Sequence, residues 1–156
     1  MGLPAATSVT VTSLEPGLTY STSVKATTAV GTGAVSSGPT VSPFLGLSVA
    51  DVSKVEGTGT GTQAVSFSVR LSSKTQTPVT FTAQTVDGTA VAPGDYTAVA
   101  PTSFTIAAGT NSKTVTVRVV RDGVAEPDES LQLVVSDIVG ATATKNTATL
   151  TITNDD

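Results

Sequence analysis

Residues 119–131 read V-V-R-D-G-V-A-E-P-D-E-S-L. Before this stretch Val115, Val117 and Val119 alternate with polar residues, and after it Leu131, Leu133 and Val135 do the same. A period of two over such short runs marks a half-buried β-strand. Gly123 and Pro127 interrupt the alternation, so the stretch reads as two strands joined by a loop. That loop carries Asp122, Glu126, Asp128 and Glu129 within eight positions. Carboxylates held so close repel one another, and a bound divalent cation would relieve the repulsion.

The same alternation runs outward in both directions. It predicts strands at about Leu47–Val55, Ala64–Leu71, Val79–Val86, within Tyr96–Ile106, and at Lys113–Val120, Ser130–Ser136 and Thr147–Thr153. The inward positions are Val65/Phe67/Val69/Leu71, Val79/Phe81/Ala83, Phe104/Ile106 and Ala148/Leu150/Ile152. Turn-forming residues separate these runs, among them Gly57–Gly61, Ser72–Pro78, Asp87–Asp95, Gly109–Ser112 and Asp137–Asn146. No helix-period stretch of useful length interrupts them. About seven short strands with turns every ten or so residues predict an all-β fold, an immunoglobulin-like antiparallel β-sandwich.

Composition agrees and narrows the function. The 156 residues include 38% hydrophobic but only 4% aromatic, and the apolar content is mostly Val and Ala among abundant Thr. The net charge of −4 leaves no basic stripe for nucleic acid, and it disfavours an anionic membrane surface. There is no Cys and no His. That removes Cys/His zinc sites, thiol nucleophiles and any histidine base. No apolar run approaches the roughly 20 residues that span a bilayer, so no direct membrane insertion is expected. The start lacks signal-peptide character, and the chain reads as a slice of something longer.

Two domains are expected, residues 1–43 and 44–156. In the first, Ser8–Ser13 alternate around Val9 and Val11. They precede Leu14-Glu15-Pro16-Gly17-Leu18-Thr19-Tyr20, and then Tyr20/Thr22/Val24/Ala26 alternate again. The L-x-P-G-x-x-Y run resembles the tyrosine corner of a fibronectin type III domain, and Ala29-Val30-Gly31-Thr32-Gly33 resembles the turn before that family's last strand. The resemblance covers only the C-terminal part of such a domain, about three strands, and a half-sandwich cannot close its core. Pro39 and Pro43 mark a stiff connection over residues 39–46.

If neighbouring strands alternate in direction, four elements of the second domain share one pole. These are the turn after Val55, the loop before Tyr96, the loop 121–128 and the end of the last strand. They carry Glu56, Asp95, Asp122, Glu126, Asp128, Glu129, Asp155 and Asp156, eight of the twelve acids in the chain. The other pole receives Lys74, Lys113 and Lys145. Ca2+ takes six to eight oxygens in a flexible shell, which loops at one pole can supply, whereas Mg2+ wants a tighter octahedron. Arg121 sits within the cluster, either weakening cation binding or neutralising part of the cluster through a salt bridge. Asp87-Gly88 reads as a structural turn, Asp128 as surface charge and Tyr96 as a core or corner residue.

Residues 45–156 resemble the Calx-beta module, named for regulatory domains of sodium/calcium exchangers and found also in many surface proteins. The resemblance rests on Val52-Ser53-Lys54-Val55-Glu56-Gly57, on Asp87-Gly88-Thr89-Ala90 leading to Gly94-Asp95-Tyr96, and on Asp122, Glu126 and Glu129 in the D-x-x-x-E-x-x-E pattern. It rests also on Leu150-Thr151-Ile152-Thr153-Asn154-Asp155-Asp156. It implies that Glu56, Asp95, Asp122, Glu126, Glu129, Asp155 and Asp156 contribute to a Ca2+ cluster. Arg121 stands where the family often has an acid, and Asn154 opens what is elsewhere an acidic triplet. With that charge missing, one weakly held Ca2+ is expected rather than several ions.

The function expected is therefore a non-catalytic, calcium-binding spacer, adhesion or interaction module of a larger cell-surface or secreted protein. Its partners would be neighbouring domains of the same chain and a protein or glycan. The alternative is a metal-independent structural or ligand-binding sandwich that meets its partner through Thr-rich faces. A two-carboxylate glycosidase is disfavoured, because the acids lie in solvated loops without an aromatic platform or another catalytic group.

Overall fold

The structure, a computed structural model, describes residues 8–16 and 18–156. The chain divides into two compact units, Met1–Pro43 and Phe44–Asp156.

The first unit is built on one antiparallel hairpin, β1 (Ser23–Thr28) and β2 (Gly31–Ser37), whose register shifts between Lys25 and Thr27. Tyr20 and Val41 extend it by a bridge, each N–H donating to the other's carbonyl at 2.9 Å. The Glu15 N–H donates to the Tyr20 hydroxyl at 2.9 Å, tying the ring back to the chain five residues upstream. Gly17 of the corner motif lies outside the described residues. Residues 8–13, which alternate around Val9 and Val11, form no strand. A strand needs a paired neighbour for its N–H and C=O groups, and among the described residues no ladder includes them, although Val9 and Val11 face Thr22 and Ser23 across an open hollow. Two paired strands cannot enclose a core, and no described residue of this unit is buried; Val30 is 99% exposed.

The second unit has ten strands: β3 (Gly46–Val49), β4 (Val52–Val55), β5 (Thr62–Leu71), β6 (Val79–Asp87), β7 (Tyr96–Thr97), β8 (Thr102–Ile106), β9 (Ser112–Val120), β10 (Glu129–Val139), β11 (Thr142–Lys145) and β12 (Thr147–Thr153). They form two five-stranded sheets, ordered β4-β12-β10-β6-β8 and β11-β3-β5-β9-β7. Their alternating apolar positions make one core. Val65, Phe67, Val69, Val115, Val117 and Val119 come from one sheet, and Phe81, Leu131, Leu133, Val135, Leu150 and Ile152 from the other. Phe81 and Phe104 stack across β6 and β8 with ring centroids 5.6 Å apart. This is the expected all-β, immunoglobulin-like sandwich.

Three expected elements are divided differently. The run Leu47–Val55 is two strands on opposite sheets, because its apolar phase slips: Leu47 and Val49 are buried, but the next inward residue is Val52. At the crossing, Asp51 accepts hydrogen bonds from Lys145 Nζ at 2.7 Å and from the Thr149 N–H at 2.9 Å. The lysine first and then the amide hold the Asp51 carboxyl below its usual range. β4 then runs parallel to β12, and β3 parallel to β11. The run Tyr96–Ile106 likewise serves both sheets, with β7 on β9 and β8 on β6, separated by residues that include Pro101. Finally, β11 lies inside the expected turn 137–146.

The Asp87-Gly88 turn is structural. Asp87 Oδ1 accepts the Tyr96 hydroxyl at 2.5 Å and the Ala92 N–H at 3.1 Å. These two donors, the hydroxyl foremost, keep the Asp87 carboxyl below its ordinary value. A Cβ on Gly88 would overlap the Ser130 carbonyl, and Ser130 O also accepts the Ala90 N–H at 3.0 Å. Backbone cannot move aside as a flexible side chain can, so Gly88→Ala is expected to cost about 1–3 kcal/mol, read as a lower urea midpoint. An unchanged midpoint would show that the loop has slack.

Candidate metal centre

Four segments meet at one end of the sandwich: the turn from Glu56 to Gly61, the loop 88–95, the loop 121–128 and the chain after β12. Their mutual placement rests on main-chain hydrogen bonds. The Glu56 N–H donates to Thr153 O at 2.9 Å, Gly59 N–H to Asp122 O at 3.1 Å and Arg121 N–H to Gly61 O at 2.9 Å. On the other side Val120 N–H donates to Asp95 O at 2.9 Å. Asp128 is more than surface charge, since its Oδ1 accepts the Asn154 N–H at 3.2 Å and joins the acidic loop to the end of β12.

These ties create a small cleft lined by Glu56, Asp95, Glu126, Pro127, Glu129, Ile152 and Asn154. It has room for about one water-sized particle. One carboxylate oxygen each from Asp95, Glu126 and Glu129 lies within 4.8 Å of the others. Ca2+ binds oxygen at about 2.3–2.6 Å, so two ligands across it stand up to about 5 Å apart. Asp95 Oδ2 accepts the Val91 N–H at 2.7 Å, which orients the carboxyl.

The electrostatics are those of a site short of positive charge. Glu129 is pushed up to about 7, first by burial, then by the Asp95 charge and hydrogen bond and by Glu126 and Glu56. Glu56, 7% exposed, is also raised, by burial first and then by Asp122, Glu126, Asp156 and Asp155. Among the described residues the ion pair that forms is Lys145–Asp51, so no lysine or arginine nitrogen pairs with these acids. Arg121 makes no salt bridge to the cluster, since its Nη2 donates instead to Thr60 O at 3.1 Å.

Of the seven acids singled out from the sequence, Glu56, Asp95, Glu126 and Glu129 line the cleft. Asp122, Asp155 and Asp156 do not line it, although each lies near enough to raise Glu56. The Asp122 carboxylate accepts the Val124 N–H and that of Asp155 the Gly57 N–H, both at 2.8 Å.

Sequence reasoning missed Asn154 as a residue of the cleft. Its Nδ2 donates to Asp156 O at 3.2 Å, while its Oδ1 is buried without a hydrogen-bond partner at the cleft. A buried acceptor left unpaired is costly, and a side-chain amide oxygen is an ordinary Ca2+ ligand. This orphaned oxygen is the observation that the residues present fit a hard cation. Counting oxygens rather than charges along Asn154-Asp155-Asp156 would have found it.

Comparison with known proteins follows the same lines. A family model described as the Calx-beta domain matches residues 42–156. No curated protein gives a match. Among solved structures, the crystal structure of the apo form of the Calx CBD1 domain superposes with a TM-score of 0.63 at 21% identity, over 73% of this chain and 100% of that one. The calcium binding domain CBD12 of CALX1.1 gives 0.61 at 22%, over 70% of this chain and 46% of that chain, so less than half of it is spanned. The Calx CBD2 domain gives 0.57 at 13%, over 69% of this chain and 85% of that one. At such identities the likeness carries the fold.

Proposed function

The chain belongs to the Calx-beta domain family through residues 42–156, and from that premise we propose that its second unit is a calcium-binding module whose ion sits in the cleft between Asp95, Glu126 and Glu129. The family is one of non-catalytic calcium-binding domains. Glu56 and the Asn154 amide oxygen complete the ligand set. Asp122, Asp155 and Asp156 supply negative charge from outside the cleft. The orphaned Asn154 Oδ1 beside three converging carboxylates carries this reading.

Extracellular Ca2+ modules bind with Kd about 10⁻⁴–10⁻³ M. A tenfold excess over Kd then adds about 1.4 kcal/mol to stability. Isothermal titration with Ca2+, paired with melting curves at millimolar Ca2+ and in chelator, tests this. Heat with a rise in melting temperature is expected; neither signal at millimolar Ca2+ would leave a metal-independent sandwich as the function. That second reading draws on the outer face of the first sheet, where the uncharged Thr149 and Gln132 lie side by side, as do Thr147 and Val134.

The pH dependence follows from Glu129. Its folded-state value of about 7 stands above its ordinary 4.5, so the ion-free folded protein keeps a proton that the unfolded chain releases. That contribution to stability is complete below pH 4.5 and is lost as pH rises toward 7. Ca2+ needs the ionised carboxylate and competes with that proton. The ion-free melting temperature is thus expected to fall between pH 5 and 8 while the rise produced by Ca2+ grows. Calorimetry at several pH values, with and without Ca2+, reads both, and a Ca2+ response equal at pH 5 and 8 would contradict the assignment of Glu129.

In its parent protein the module acts as a spacer or adhesion unit at a cell surface or in a secreted chain, with an ion stiffening the pole where residues 154–156 lie. The hydrogen bond from Glu15 to the Tyr20 hydroxyl supports a fibronectin type III-like corner in the first unit, a setting of strung-together domains. Among the described residues no helix is long and apolar enough to cross a membrane. A protein or glycan partner is open to pull-down by the isolated chain in Ca2+ and in chelator.

A further inference from the structure

Two polar side chains stand where the strand pattern calls for apolar ones. On β5 the inward series Val65, Phe67, Val69 is preceded in phase by Gln63; on β9 the series Val115, Val117, Val119 is followed in phase by Arg121. Both places lie at the acidic end, and Gln63 pairs with Val119 across the two strands. A polar residue in a core register breaks the local rule, and such breaks mark sites where something other than packing is at stake.

Both side chains grip the turn that presents Glu56. The Gln63 amide nitrogen donates to two successive carbonyls, Val55 O and Glu56 O. Arg121 Nη2 donates to Thr60 O at 3.1 Å, and its Cδ would stand 3.4 Å from a Cβ placed on Gly57, whose φ is +83°. The Glu56 amide is occupied by Thr153 O and the Gly57 amide by Asp155 Oδ1. The turn is therefore held by both Gln63 and Arg121, while Glu56 lines the cleft.

We propose that Gln63 and Arg121 are positioning residues of the cation site: by fixing the main chain from Val55 to Thr60 they hold the Glu56 carboxylate against the Asp95–Glu126–Glu129 cluster. Neither touches the ion. The inference rests on the calcium-binding reading above and assigns roles that charge alone would reverse. Partners that orient a ligand are typically worth about 10–100-fold in metal affinity.

The sign of the effect makes the test decisive. Gln63→Glu and Arg121→Gln each make the acidic end more negative, so simple electrostatics has both variants binding Ca2+ more tightly. Positioning has both binding about tenfold more weakly, because a carboxylate cannot donate to two carbonyls and a glutamine is too short to reach Thr60. Gln63→Ala removes the amide without adding charge and serves if Gln63→Glu fails to fold. Ca2+ titration gives the affinities. Amide exchange at Gly57 and Gly59 in the ion-free protein reports on the turn itself and is expected to quicken in each variant, with the other strand amides unmoved. Affinity unchanged or tighter, or exchange unaltered, overturns the inference. Wild-type protein that takes up no Ca2+ overturns the function proposed above and this inference with it. Wild-type binding that the variants leave intact overturns this inference alone.

Discussion

Glu129→Gln is expected to weaken Ca2+ binding by at least about tenfold while raising the melting temperature of the ion-free protein. The two effects have opposite signs because Glu129 has opposite roles in the two states. Without an ion, its charge faces Asp95, Glu126 and Glu56 in a half-buried position, which pushes its carboxyl up to about 7. Above that pH the folded state bears the repulsion, and a neutral amide of the same shape relieves it. With an ion, the same carboxylate is one of three whose oxygens lie within 4.8 Å of one another, and an amide oxygen offers the cation a dipole in place of a charge. Titration calorimetry and melting curves in chelator read the two quantities separately. Asp137→Asn is the control, since Asp137 lies near the other end of β10 from Glu129 and its carboxylate accepts the Ser136 hydroxyl. Glu129→Gln protein that binds Ca2+ as the wild type does would move the ion elsewhere. A lowered ion-free melting temperature would mean that Glu129 stabilises the fold by contacts other than charge.

Phe81→Ala should destabilise the second unit by about 3–5 kcal/mol. Phe81 is 1% exposed, sits at the middle of the β6–β8 register and stacks on Phe104 at 5.6 Å. Aromatics are scarce in this chain, with four Phe and two Tyr among 156 residues, so Phe81 is one of the few large side chains in a core made mostly of Val and Leu. Domains are typically stable by only about 5–15 kcal/mol. Such a loss leaves the variant near its unfolding threshold, and the roughly 1.4 kcal/mol available from a tenfold excess of Ca2+ would not restore it. Urea unfolding followed by circular dichroism measures the loss. A cost under about 1 kcal/mol would show a core loose enough to close around the cavity.

Much of the sandwich was legible because its strands are simple. Val115, Val117 and Val119, or Leu131, Leu133 and Val135, can sit on a sheet only with one face inward. What the strand pattern does not carry is the pairing of distant segments. The slip of phase between Val49 and Val52 is written in the sequence, but its meaning, a strand leaving one sheet for the other at Asp51, depends on Lys145 and Thr149, about a hundred positions away. Asn154 carries no charge, so a count of acids does not single it out, although its amide oxygen is buried without a partner. Arg121 is a charge among charges in the sequence, whereas its guanidinium donates to the Thr60 carbonyl, a partner that only the folded turn supplies.

The sequence by itself determined the all-β class, the inward residues of each strand and which loops bear acid, because side-chain alternation and turn chemistry act over a few neighbouring residues. Only the tertiary structure decided which acids share a cleft. Glu56, Asp95, Glu126 and Glu129 line it while Asp122, Asp155 and Asp156 stand outside. Separations of a few ångströms between loops drawn from across the second unit are set by the packing of two sheets and by long-range hydrogen bonds such as Glu56 N–H to Thr153 O. No rule of local spacing contains those distances.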